Sequence, residues 1–116
     1  MSSDTLSEPK NAPLYLYLTT IGRKTGNPHE IEIWFVEYGG RYYLMSEFPE
    51  EADWVKNIQN DSAVSFRIGS RSAEAVAGTG RIVDHARAPE LVAAVARLMQ
   101  EKYNWSDGQI VELERK

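Results

Sequence analysis

The strongest constraint on this chain is a pair of alternating segments joined by a basic, glycine-rich turn. From Leu14 to Thr20, Leu14, Leu16 and Leu18 fall on one side and Tyr15, Tyr17 and Thr19 on the other. Successive side chains of a strand point to opposite faces, so this segment reads as a strand with two usable faces. His29 to Tyr38 alternates again, with Ile31, Ile33 and Phe35 against Glu30, Glu32, Trp34 and Val36. Between them, Ile21 to Pro28 contains Gly22, Gly26, Asn27 and Pro28, a turn by composition. Gly39-Gly40 then predicts a tight hairpin, because glycine reaches the positive φ angles such turns need. Arg41 to Phe48, rich in aromatics, is the returning strand.

The second half continues in the same style. Pro49-Glu50-Glu51 predicts the opening of a short helix, with Trp54, Val55 and Ile58 as its apolar stripe and Asn60-Asp61 as its end. Ala63 to Ile68 reads as a strand, Gly69-Ser70 as a turn, and Ser72 to Val83 as a long strand bent at Gly78 and Gly80. Pro89 to Tyr103 is a helix with Leu91, Val92, Val95, Leu98 and Met99 on one stripe. Asp107-Gly108 is a turn and Gln109 to Leu113 a last strand. Nothing reads as a repeated βαβ unit. The expected fold is mainly β with α+β character: an antiparallel barrel with a short helix after the third strand and a longer helix near the C-terminus. Residues 1–13 are expected to be a flexible arm, and 14–116 a single domain.

Charge and composition exclude several classes of function. The net charge of −4 lacks the basic stripe of a general nucleic-acid binder. There is no cysteine, hence no disulfide, thiolate nucleophile or cysteine-ligated metal. His29 and His85 are the only histidines and show no metal-ligand spacing, so no metal site is expected. No stretch reaches the ~18 apolar residues of a membrane span. The polar start Met1-Ser2-Ser3-Asp4-Thr5 does not resemble a signal peptide. A cytoplasmic protein is the expectation. No GxSxG elbow or nucleophilic triad can be assembled. A small chain with two-faced aromatic strands is also expected to form a homodimer.

The richest segment is Leu18-Thr19-Thr20-Ile21-Gly22-Arg23-Lys24-Thr25-Gly26-Asn27-Pro28. Backbone N–H groups freed by a turn, next to Arg23 and Lys24, suit an anion such as phosphate. Arginine grips phosphate through two bonds and lysine adds a compact charge. On spacing alone, the same string also describes an ordinary polar hairpin with solvated charges.

This string is followed by a strand ending Ile33-Trp34-Phe35-Val36, then Gly39-Gly40-Arg41-Tyr42-Tyr43-Leu44, Trp54-Val55-Lys56-Asn57-Ile58 and Val64-Ser65-Phe66. Together they resemble the deazaflavin-dependent nitroreductase family, split β-barrel proteins related to the flavin-binding pyridoxamine-phosphate-oxidase-like group. The resemblance covers residues 14–84, with looser similarity beyond. It implies a split β-barrel homodimer that binds the deazaflavin coenzyme F420, with FMN as the alternative, in a groove near the subunit interface. It implies hydride transfer from the reduced cofactor to a small electron-poor acceptor such as a quinone or nitro compound, the cofactor performing the chemistry. The matching cofactor-binding positions are Arg23, Lys24, Thr25 and His29 for the phosphate and tail, Trp34 and Ser46 near the ring, and Trp54 and Asn57 on the flanking helix. No catalytic acid is implied. His29 stands where the family carries a basic residue. Glu32 replaces a small or apolar one, and Glu47, Glu50 and Glu51 replace a glycine-rich, lysine-bearing loop. These carboxylates would disfavour a polyanionic tail. The alternative function is a non-enzymatic split-barrel binding module for a flavin, heme or lipid-like ligand.

Several residues carry a plainer reading as well. Trp34 could stack on a ring with Glu32 beside it, or sit in a dimer interface with Glu32 paired to an arginine. His29 reads as a strand-end polar residue and His85 as a surface residue near a helix cap. Trp54 packs its helix on the barrel and Asn57 suits a hydrogen-bonding role. Tyr15, Tyr17, Tyr42 and Tyr43 read as packing and interface residues, and Arg67, Arg71 and Arg81 as solvated strand residues.

Overall fold

The computed structural model describes residues 12–116. The arm expected over residues 1–13 therefore lies almost wholly outside the described residues. The chain runs β1 (Tyr15–Ile21), β2 (Pro28–Trp34), β3 (Val36–Tyr38), β4 (Arg41–Ser46), α1 (Asp53–Asn60), β5 (Ala63–Ile68), β6 (Val76–Ile82), α2 (Pro89–Tyr103) and β7 (Gln109–Arg115). All seven strands form one antiparallel sheet in the order β2-β1-β5-β6-β7-β4-β3. Its two edge strands, β2 and β3, are consecutive in the chain and separated only by Phe35. A single residue cannot bridge the width of a flat sheet, so the sheet curls until its edges meet there. Beyond Phe35 the edges share no ladder, and the result is a split barrel.

The alternation expected to run unbroken from His29 to Tyr38 is interrupted at Phe35, and the reason is local. The Phe35 N–H donates to the Tyr103 hydroxyl at 3.0 Å, and its carbonyl accepts from Lys102 Nζ at 2.9 Å. The C-terminal end of α2 thus takes the backbone groups that a ladder would have used. Phe35 packs inside the barrel, whereas Val36 belongs to a second apolar cluster.

The first cluster is the barrel interior, where Leu16, Leu18, Leu44, Phe66, Val111 and Leu113 meet Val55 and Ile58 of α1. The second lies beneath α2, where Val95, Leu98 and Met99 cover Val36, Tyr43, Met45 and Ile110. Strand β4 contributes Leu44 to one cluster and Tyr43 and Met45 to the other. Buried on both faces, it shows no clean polar alternation in sequence. Two elements start later than expected. Residues 49–52 form a turn before α1 begins at Asp53, and β6 begins at Val76 after a loop over 72–75. Gly39 and Gly40, at φ 61° and 81°, form the β3–β4 hairpin turn.

Candidate functional site

The turn after β1 is closed by two backbone bonds, from the Gly22 amide to the Asn27 carbonyl and from the Gly26 amide to the Gly22 carbonyl, both 2.8 Å. Gly26 takes a φ of 76°, which suits glycine. Gly22 is fixed for a different reason: a Cβ there would lie 2.7 Å from His29 Nε2. The imidazole therefore packs directly over the glycine backbone.

This turn faces the first two turns of α1 across an open groove of about 420 Å³, lined by Thr20, Gly22, Arg23, Lys24, Thr25, His29, Glu30, Ile31, Asp53, Trp54 and Asn57. The sequence separation is over thirty residues, and one side chain makes the connection. Asn57 is buried at 3% exposure. Its Oδ1 accepts from the Arg23 guanidinium at 2.9 Å and from the Arg23 backbone amide at 3.2 Å. Its Nδ2 donates to the Thr20 hydroxyl at 3.1 Å, in the interior. A buried amide with its polar atoms so partnered is rigid, and it fixes the direction in which Arg23 leaves the turn. Asp53 adds an ion pair to the same guanidinium at 3.2 Å. Lys24 and Thr25 are exposed at the tip.

Six of the eight residues matched to a cofactor site, Arg23, Lys24, Thr25, His29, Trp54 and Asn57, share this groove. The other two do not join it within one chain. Trp34 is exposed on the sheet's outer side and stacks on Tyr103, ring centroids 4.4 Å apart and nearly parallel, with Trp105 edge-on at 6.2 Å. Ser46 is buried at the end of β4, paired with Gln109. Glu32 accepts from the Tyr17 hydroxyl at 2.8 Å rather than from an arginine, and that bond raises the Tyr17 pKa. Asp53 lines the groove without having been singled out in the sequence. Its only signal was its place just before Trp54, at the start of a helix.

The expected solvated arginines are all engaged. Arg67 donates to the Ala73 carbonyl, Arg71 pairs with Glu30 and covers the Tyr17 ring, and Arg81 pairs with buried Glu112. None of the three lines the groove. His85 is half-buried, and its Nε2 accepts the Ile110 amide at 3.1 Å. It is a structural acceptor bridging to β7, not a surface residue. Among the described residues no group of three or more histidine and carboxylate side chains could hold a metal ion, and no helix is long and apolar enough to cross a membrane.

The fold recurs in solved structures. The heme storage protein HutZ from Vibrio cholerae superposes with a TM-score of 0.70 at 17% identity, over 89% of this chain and 82% of that one. A conserved hypothetical protein from Mycobacterium tuberculosis gives 0.69 at 20% identity, over 97% and 79%. An F420-H2 dependent reductase, FDR-A, gives 0.61 at 18% identity, over 87% and 94%. No curated protein matches the sequence. At these identities the structural likenesses establish the split barrel alone; the sequence match to a family model covers nearly all of it, residues 4–111, the basic turn and both sides of the groove included. By that match the chain belongs to the F420H(2)-dependent quinone reductase family.

Proposed function

We infer that the protein is a deazaflavin-dependent oxidoreductase that holds coenzyme F420 in the groove between the β1–β2 turn and α1 and passes a hydride to a small quinone-type acceptor. The observation that carries this reading is the convergence of Arg23 and Lys24 with Trp54 and Asn57 across one open groove, in a chain of this family. The site fits a phosphate-bearing ring cofactor on its own chemistry. Two cations stand at a turn whose geometry is fixed by its own bonds, and a guanidinium has N–H groups to spare after bonding Asn57. Trp54 and Ile31 add apolar surface at the groove wall.

In this reading Arg23 and Lys24 hold the phosphate and the tail. Asn57 fixes Arg23, so that little side-chain freedom is lost on binding. Thr25 and His29 border the same anion, and Trp54 limits where a ring can lie. When bound, the reduced deazaflavin supplies the hydride, and a quinone that accepts it together with a proton leaves as the hydroquinone. FMN, with one phosphate, is the alternative occupant. Exposed Tyr15 and Trp34 lie opposite each other on β1 and β2 and give an apolar surface at the sheet edge, and we assign it to the interface of a homodimer. Sedimentation across a dilution series tests the dimer; a monomer at every concentration contradicts it.

The activity is tested by mixing the purified protein with reduced F420 and a small quinone under anaerobic conditions, following the return of oxidised deazaflavin absorbance. Catalysed oxidation above the protein-free rate supports the reading, and none with any quinone or nitro acceptor contradicts it. The likeness to HutZ favours a second reading, a binding module for heme. A titration with hemin, read as a shift of its main absorbance band that is lost in His29→Ala, separates the two.

A further inference from the structure

Of the two acids that line the groove, Asp53 and Glu30, Asp53 is the one that pairs with an arginine of the proposed anion site. Its Oδ1 sits 3.2 Å from Arg23 Nη2, and its side chain is 82% exposed, whereas that of Arg23 is 24% exposed. The other acid in the lining, Glu30, is paired with Arg71 at 3.1 Å. Asn57 grips Arg23 from the buried side, through Nη1 and the backbone amide, and does not compete with an incoming anion. Asp53 grips it from the solvent side, through Nη2. A carboxylate there occupies a guanidinium nitrogen that a phosphate would use, and it adds a like charge next to the bound anion.

Resting on the reading of the groove as a phosphate site, we propose that Asp53 is a built-in counter-anion that sets how much negative charge the groove accepts. Before binding it neutralises Arg23. On binding it must swing away or repel the ligand, so ligands with few negative charges are favoured over polyanionic ones. The position suits this role: an exposed carboxylate in the first turn of α1 has room to move into solvent, while Arg23 stays anchored by Asn57. An exposed pair of this kind is weak enough to be displaced, and its removal is expected to change affinity by about two- to fivefold.

The test compares the unmodified protein with Asp53→Asn, using inorganic pyrophosphate and, separately, coenzyme F420, by calorimetric titration at low and high salt. Asp53→Asn should bind pyrophosphate about two- to fivefold more tightly at low salt, with the gain shrinking as salt rises. The gain should be lost when Arg23→Ala is added, since the competition is for that side chain. Glu90→Gln, an exposed acid on α2 outside the groove, should change nothing. Tighter pyrophosphate binding with no F420 binding by either protein would uphold the counter-anion and reject the cofactor assignment. F420 binding that Asp53→Asn leaves unchanged, or an absence of pyrophosphate binding by both proteins, would overturn the counter-anion. Equal gains in Asp53→Asn and Glu90→Gln would also overturn it, because the effect would then be net charge alone.

Discussion

The side-chain oxygen of Asn57 accepts two hydrogen bonds from Arg23, at 2.9 Å from the guanidinium and 3.2 Å from the backbone amide. One buried amide thus ties the β1–β2 turn to α1 and aims the turn's first cation along the groove. Asn57→Ala should lower stability by about 1–3 kcal/mol, because the Thr20 hydroxyl and the Arg23 amide lose a buried partner. It should also weaken cofactor binding, because Arg23 is then free to wander. Thermal melts and a ligand titration check both. A variant that melts like the unmodified protein and binds as tightly would remove Asn57 from the account.

Tyr43 offers a prediction in alkaline solution. Its hydroxyl donates to buried Glu112 at 2.8 Å, and burial, followed by that bond, pushes the phenol from 10.0 up to about 12. The fold therefore favours the neutral phenol. The stability this gives is fully present below the unfolded value near 10 and is lost as pH rises toward 12. In Tyr43→Phe that alkaline loss should be smaller by on the order of 1–2 kcal/mol, after allowing for solvent screening. Urea unfolding from about pH 9 to 12 reads it out. Parallel decline in both proteins would show that the pair does not carry the effect.

Glu47, Glu50 and Glu51 are exposed in the segment leading into α1, two residues ahead of Asp53 at their nearest. Replacing all three with lysine should tighten binding of coenzyme F420, with its polyanionic tail, relative to FMN. The expected change in the affinity ratio is about tenfold at low salt, shrinking as salt screens it. A ratio that stays fixed would mean that this segment does not face the tail.

The elements most legible in the sequence are those whose boundaries are set by local chemistry. Ala63–Ile68 lies between Asn60-Asp61 and Gly69, and Pro89–Tyr103 starts on a proline and ends at Asn104 in the left-handed region. The break at Phe35 was not legible, because it is imposed by Tyr103 and Lys102 from nearly seventy residues away. The same distance hid the stacking of Trp34 on Tyr103. In the groove, the basic turn stood out for its composition, whereas the contribution of α1 was visible only through the Trp54 and Asn57 pattern of a family resemblance. Asp53 escaped notice because an acid in a first helical turn is ordinary; only its 3.2 Å approach to Arg23 gives it significance.

The basic turn is the proposed anion site, and removing its two cations is the sharpest challenge to it. The unmodified protein and an Arg23→Ala, Lys24→Ala double variant are titrated with coenzyme F420, following ligand fluorescence, and both are melted. A charge-assisted contact contributes about 1.5–3 kcal/mol, so losing both cations should weaken binding by roughly tenfold to a few thousandfold. The melting temperature should fall only modestly, because Asn57 Oδ1 keeps its bond from the Arg23 backbone amide and neither side chain belongs to the two apolar clusters. Equal affinity of the two proteins for coenzyme F420 would show that Arg23 and Lys24 do not hold the cofactor.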